Sequence, residues 1–253
     1  MKYLFTVIWG IICVMVLAYG HFHWQQQTAV KAVVEPGLTQ EASETDYTEY
    51  LKLAANWPQS AKEQFQLALK EEKPFKILFV GSTAMEWEKN VTQRLTESFG
   101  SDKVVSAFHT YEQTSDDIFA ENIPLELAAE KAQLVVIEPF LFNDNGNVKI
   151  DVTLANVTKL MEDIKASNPA TTFILQPSYP IYKPKYYSTQ IEALKEYAAA
   201  NGLTYLDHWA AWPATDNPEI KNYLTDDESA PNEQGNQVWA QFLTDYFVTK
   251  KAN

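Results

Sequence analysis

The sequence contains one cysteine in 253 residues, Cys13, and it lies in an uncharged N-terminal run. This excludes a disulfide framework and any zinc site built on cysteine. Glycine is scarce, with eight in all. Neither G-x-G-x-x-G nor G-x-x-x-x-G-K occurs, so the glycine-rich loops that cradle nucleotide phosphates are missing. G-x-S-x-G is absent too, and with it the usual serine elbow of α/β-hydrolases. Acidic residues outnumber basic ones, 33 against 20, for a formal net charge of −13. That is the wrong sign for holding nucleic acid, where lysine and arginine displace phosphate counterions. Histidine is also scarce: His21, His23, His109 and His208. The H-x-H spacing of the first two is a weak metal signal, and neither a metal nor a cofactor is expected.

What is present is a substantial apolar content, 46% of the chain, enough for one sizeable core. Residues 3–19 carry no charge and Lys2 precedes them. Seventeen residues is the lower limit for spanning a bilayer, and the positive flank belongs on the cytoplasmic side. Residues 1–20 are therefore expected to be a transmembrane anchor. Ala18-Tyr19-Gly20 also has the small-x-small form of a signal cleavage site, so the alternative is a secreted chain beginning after Gly20. Either way the bulk of the protein is expected outside the cytoplasm. Residues 21–45 are polar, without a sustained period, and read as a tether. Residues 46–72 read as a helical preface broken at Trp57-Pro58, followed by the main domain, 73–253.

From Lys73 the chain alternates. Short apolar runs at 75–81, 103–108, 133–140, 171–177 and 203–207 predict strands. Helical periodicity at 85–99, 124–131, 152–166, 188–201 and 233–248 predicts helices between and after them. This pattern implies a parallel sheet of five strands in a three-layer α/β/α sandwich. Ligands bind such sheets beyond the carboxyl ends of the strands, which directs attention to 81–84, 109–111, 138–144, 176–187 and 207–232.

The turn Val80-Gly81-Ser82-Thr83-Ala84-Met85 places two hydroxyls where strand one meets the next helix. Ser82 or Thr83 could be a nucleophile, with helix N-terminal amides nearby for an oxyanion, or a simple helix cap. Glu138 and Asp144 sit at the same edge, where carboxylates can do acid–base work or cap backbone N–H groups. The run 177–187 interleaves four tyrosines with three prolines and two lysines. It reads either as a glycan-contacting rim, extended by Trp209 and Trp212, or as a rigid loop that packs its tyrosines inward.

Taken together, Gly81-Ser82-Thr83 after strand one and Asp227-Glu228-Ser229-Ala230-Pro231-Asn232-Glu233-Gln234-Gly235-Asn236 before the last helix resemble the SGNH/GDSL hydrolases. The resemblance covers about 73–248. The blocks 138–146, 174–182 and 205–213 suggest a divergent, membrane-anchored Gram-positive branch. The resemblance implies ester hydrolysis or acyl transfer, here on an acylated envelope glycan, with Thr83 at the nucleophile position, Ser82 at the preceding Asp position and Asp227 as the triad acid. Three departures accompany it. The triad histidine falls on Ala230, a later histidine falls on Asn236, and the strand-three Gly-x-Asn-Asp block reads Glu138-Pro139-Phe140-Leu141, with Asn143 displaced downstream. A hydroxyl without a base is a poor nucleophile. In a 2-1-3-4-5 sheet, His109, which follows strand two directly, is the replacement base that strand order favours, or else a loop histidine with no special role; His208 is three strands away, about 14 Å, and reads as a loop residue held by its neighbours. The substrate side of the site is assigned to Glu138, Asn143, Tyr179 and Trp209. The alternative is a catalytically degenerate protein that keeps the cleft and binds an envelope glycan or partner.

Overall fold

A computed structural model describes residues 42–83 and 85–249. The anchor expected at 1–20 and most of the tether lie outside this range, and among the described residues no helix is long and apolar enough to cross a membrane. Helix α1, Ala42–Leu53, takes in the last residues assigned to the tether. Helix α2 is Gln59–Lys70 with Pro58 at its N-cap. Proline has no N–H to continue a preceding helix, so the break falls where Trp57-Pro58 predicts it.

The five strands are β1 Phe75–Ser82, β2 Val104–Tyr111, β3 Leu134–Ile137, β4 Thr172–Leu175 and β5 Thr204–Tyr205. All pairings are parallel, and the order is β2-β1-β3-β4-β5. The remaining helices are α3 Glu88–Phe99, α4 Asp117–Ala120, α5 Ile123–Ala129, α6 Leu141–Asp144, α7 Ile150–Ser167, α8 Tyr186–Ala200 and α9 Glu233–Phe247, with 3-10 turns at His208–Ala211 and Pro218–Tyr223.

Strand alternation divides the core into two layers. Ile77 and Phe79 of β1 join Leu134 and Val136 of β3 in one cluster with residues of α2, α3 and α9. Leu78 and Val80 join Val135 and Ile137 in the other, with residues of α5, α7 and α8. Burial on both faces is why β1 and β3 read as continuous apolar runs rather than alternating ones. The helical preface is part of the first layer. Trp57 is buried, with ring centroids 5.2 Å from both Phe65 and Phe75 and 5.5 Å from Phe99. Its indole N–H donates to the Phe247 carbonyl at 2.9 Å.

Two boundaries differ from the sequence reading in ways that affect the site. β2 runs on to Tyr111, so His109 lies within the strand, paired with Val80. α3 starts at Glu88 because Met85 and Trp87 are drawn into the core before the helix begins. The strand order reverses between β1 and β3, which is the crevice position of an open parallel sheet.

Candidate functional site

At that crevice Gly81 of β1 faces Glu138, the residue after β3. A Cβ on Gly81 would lie 2.7 Å from the Glu138 Cβ and 3.0 Å from its Oε2. The glycine is therefore required by the close approach of the glutamate. Glu138 is fully buried, and its Oε2 accepts the Ser82 backbone N–H at 2.7 Å. Burial raises the Glu138 pKa above the ordinary carboxylate range, and the contacts with Ser82 oppose this. In-register extension from Ile137 and Leu175 sets Glu138 beside Gln176, the residue after β4. Gln176 is also fully buried, and its Oε1 accepts the Trp239 indole N–H. The strand-end amide of Ser82 is thus already occupied by a carboxyl group of the chain itself.

The two hydroxyls separate. The Ser82 side chain is buried, at 2% exposure, and Thr83 is exposed in the turn. Asp227 is exposed and bonded within its own loop. One oxygen, Oδ1, accepts from the Ser229 N–H at 3.1 Å, the Ser229 hydroxyl at 2.7 Å and the Thr225 hydroxyl at 2.7 Å. These bonds hold its pKa at about 2. Its described hydrogen bonds include none to a histidine.

Neither described histidine meets the turn. His109 Nε2 lies 3.0 Å from Glu130 Oε1, its Nδ1 lies 3.4 Å from the Tyr111 hydroxyl, and Glu130 also binds Lys76. Beside Val80, His109 sits two residues back from the Ser82–Tyr111 pair, about 7 Å along the strand. His208 is held by its neighbours, as expected, and it is fully buried. The Trp212 indole N–H donates to Nδ1 at 3.1 Å, and indole is a donor only. Nδ1 is therefore the bare nitrogen, and Nε2 carries the proton donated to the Pro177 carbonyl at 2.9 Å. The ring stacks on Trp239, 4.3 Å between centroids, and burial lowers its pKa to about 3. It is a neutral core histidine.

The residues assigned to substrate contact are mostly turned inward. Tyr179 is buried, stacked on Phe142, and donates its hydroxyl to the Ser229 carbonyl at 2.5 Å. Tyr187 is buried against it, and its hydroxyl donates to the Tyr179 carbonyl. The half-buried Trp209 pins the loop after β4 through Nε1–H to the Ser178 carbonyl at 2.7 Å. Asn143 donates to the carbonyls of Tyr111 and Gln113, clamping the segment after β2. Asp144 is buried, accepting from the Ser115 N–H at 2.7 Å and the Thr153 hydroxyl at 2.5 Å. The inward-packed reading of the tyrosine loop holds for Tyr179 and Tyr187, while Tyr186 remains 80% exposed.

Sequence reasoning missed a cleft of about 470 Å³ at the same edge, lined by Glu86, Asn90, Thr225, Asn232, Asn236 and Gln237 among others. The signal available was the run of amide residues at 232–237. No group of acidic, histidine or cysteine residues suited to a metal occurs among the described residues.

No family model matches this sequence, and no curated protein does. Solved structures do: 52 chains match it. A carbohydrate esterase family 3 protein from Talaromyces cellulolyticus superposes with a TM-score of 0.57 at 18% identity, over 67% of this chain and 94% of that one. An acetylxylan esterase from Geobacillus stearothermophilus gives 0.55 at 16%, over 69% and 94%. A GDSL-like lipase from Bacteroides thetaiotaomicron gives 0.52 at 17%, over 80% and 97%.

The fold is that of the SGNH/GDSL lipases and esterases. Pro231-Asn232 leads directly into α9. Asn232 caps α9, accepting the Gly235 N–H at 3.1 Å, and Gly235 is needed there because a Cβ would meet the Tyr223 carbonyl at 2.2 Å.

Proposed function

We propose that this chain is a cell-surface protein of SGNH fold that binds an envelope glycan without hydrolysing it. The observation that carries this reading is that, among the described residues, no histidine reaches the turn at Thr83. Ala230 stands at the triad position, Asp227 spends its hydrogen bonds on Thr225 and Ser229, and both described histidines are engaged away from Thr83. Loss of a triad member costs several orders of magnitude in rate. The occupied Ser82 amide removes an oxyanion donor as well. The amide-rich cleft beside the turn supplies donors and acceptors suited to sugar hydroxyls. Two of the similar structures are named for carbohydrate esters. Attachment through residues 3–19 keeps the domain at the outer membrane–water boundary.

The exposure of Thr83 at the end of β1 favours the hydrolase reading, an esterase or acyl-transfer enzyme acting on an acylated envelope glycan. The test is short-chain aryl-ester and acetylated-oligosaccharide hydrolysis by the full chain, beside Thr83→Ala, Ser82→Ala and His109→Ala. The binding reading expects all four proteins to be equally slow. Turnover abolished by Thr83→Ala would overturn it.

A further inference from the structure

The loop after β4 leaves the core at Ile181 and presents Tyr182, Lys183 and Lys185 before α8 begins. Lys183 takes a left-handed backbone conformation, φ +48°, uncommon for a residue with a Cβ. It is held there by its N–H, which donates to the Thr215 carbonyl at 2.8 Å. In this pose its ammonium lies 5.1 Å from the centroid of the Tyr182 ring. A second ammonium, from Lys221 in the 3-10 turn Pro218–Tyr223, lies 4.8 Å from the same centroid. Both distances are within cation–π range. Two like charges from different elements thus converge on one half-buried ring, on a chain of net charge −13.

Lys221 has an internal counter-ion: Glu228 binds it at 2.5 Å, and Glu228 is itself left-handed, φ +57°. No carboxylate among the described ion pairs answers Lys183. Strained, non-glycine backbone that gathers like charges points toward a ligand rather than toward stability.

We propose that Tyr182, Lys183 and Lys221 form an anion site that receives the phosphate or carboxylate group of an envelope glycan, with Glu228 as the internal occupant it displaces from Lys221. This inference rests on the glycan-binding reading and assigns a charge to its ligand. The exposed Tyr186 ring, four residues from Tyr182, offers an apolar face for the attached sugar. The segment carrying Glu228 also carries Thr225, which lines the amide-rich cleft. Capture of the anion would therefore release one edge of that cleft.

The experiment is amide chemical-shift titration of the full chain in detergent micelles with inorganic phosphate, glucose 1-phosphate and glucose. Phosphate and glucose 1-phosphate should both shift Tyr182, Lys183 and Lys221, with glucose leaving those signals in place. Lys183→Gln and Lys221→Gln should each weaken binding roughly tenfold, and added salt should weaken it further. Lys195→Gln, whose ammonium pairs with Asp207, should change nothing. Absence of shifts with both phosphates, or unchanged titrations in both lysine variants, overturns the site. So does binding to phosphatidylglycerol vesicles without binding to glucose 1-phosphate, which would make the patch a lipid contact. Acetylated or neutral oligosaccharide binding by a protein that shows no shifts with either phosphate would retain the glycan reading and remove only this inference.

Discussion

Replacing Gly81 with alanine adds a single methyl group at the crevice, and the structure sets what that methyl must displace. It would stand 2.7 Å from the Glu138 Cβ, 2.9 Å from the Met85 sulfur and 3.0 Å from Glu138 Oε2. The Glu138 Cβ is the rigid member, since it is attached to backbone at the end of β3. Overpacking of this kind costs about 1–3 kcal/mol. Moving the carboxyl also stretches its bond from the Ser82 N–H, another roughly 1–2 kcal/mol for a buried donor left unpaired. The sum, about 2–5 kcal/mol, corresponds to a fall in Tm of roughly 5–15 °C for a domain of this size. Gly146→Ala is the control, because Gly146 has φ +84° and nothing within 4 Å of an added Cβ. It should cost only about 1 kcal/mol, from backbone conformation alone. Thermal and urea unfolding of both variants decides the matter. A Gly81→Ala protein as stable as Gly146→Ala would mean that Glu138 does not pack on the strand end, and the account of the occupied Ser82 amide would fall with it.

Other outcomes follow from the buried ionisable groups. Burial raises the Glu138 pKa in the fold, so the native state holds a proton that the unfolded chain releases. Stability should therefore fall as pH rises from the ordinary carboxylate range to the raised value, and Glu138→Gln should lack that fall; matching pH–stability curves would refute it. His208 titrates at about 3 in the fold, so the unfolded chain binds the extra proton between that value and about 6.5. Wild-type stability should drop as pH falls through this window, and His208→Gln should flatten the slope by about one proton, read from urea midpoints. Trp57→Ala should cost about 3–5 kcal/mol with far-UV helix content otherwise retained, because Trp57 centres a ring cluster joining α2, β1, α3 and the end of α9; a loss under about 1 kcal/mol would show the preface to be dispensable.

The sheet was legible because three of its strands, β1, β3 and β4, are buried on both faces or nearly so, and such strands write themselves as unbroken apolar runs. β2 was harder. It is an edge strand and only partly buried, so the polar His109 and Thr110 near its end read as lying beyond it. That error put His109 in a loop with freedom to reach the turn, when pairing with Val80 fixes it elsewhere. The strand-one turn and the segment before the last helix were legible because a glycine at a strand end and a Pro-Asn pair capping a helix mark those positions. The direction of Tyr179 and the local bonding of Asp227 were not, since composition does not say whether an aromatic after a strand turns inward or whether a carboxylate closes on its own turn. The closeness of Glu138 to Gly81 left a signal, a glutamate at the end of an apolar strand, but which backbone N–H it meets depends on strand order and register.

One contact at the far end of the molecule bears on how the protein withstands trimming. Thr249 donates its N–H to the Leu53 carbonyl at 2.8 Å, and Trp57 reaches the Phe247 carbonyl two residues earlier. Helix α1 and the end of α9 are thus latched to one another. A cut that removes the final turn of α9 takes away the acceptor on which Trp57 depends. These two segments should therefore age together, with damage to the end of α9 registering first as loosening of α1 and α2.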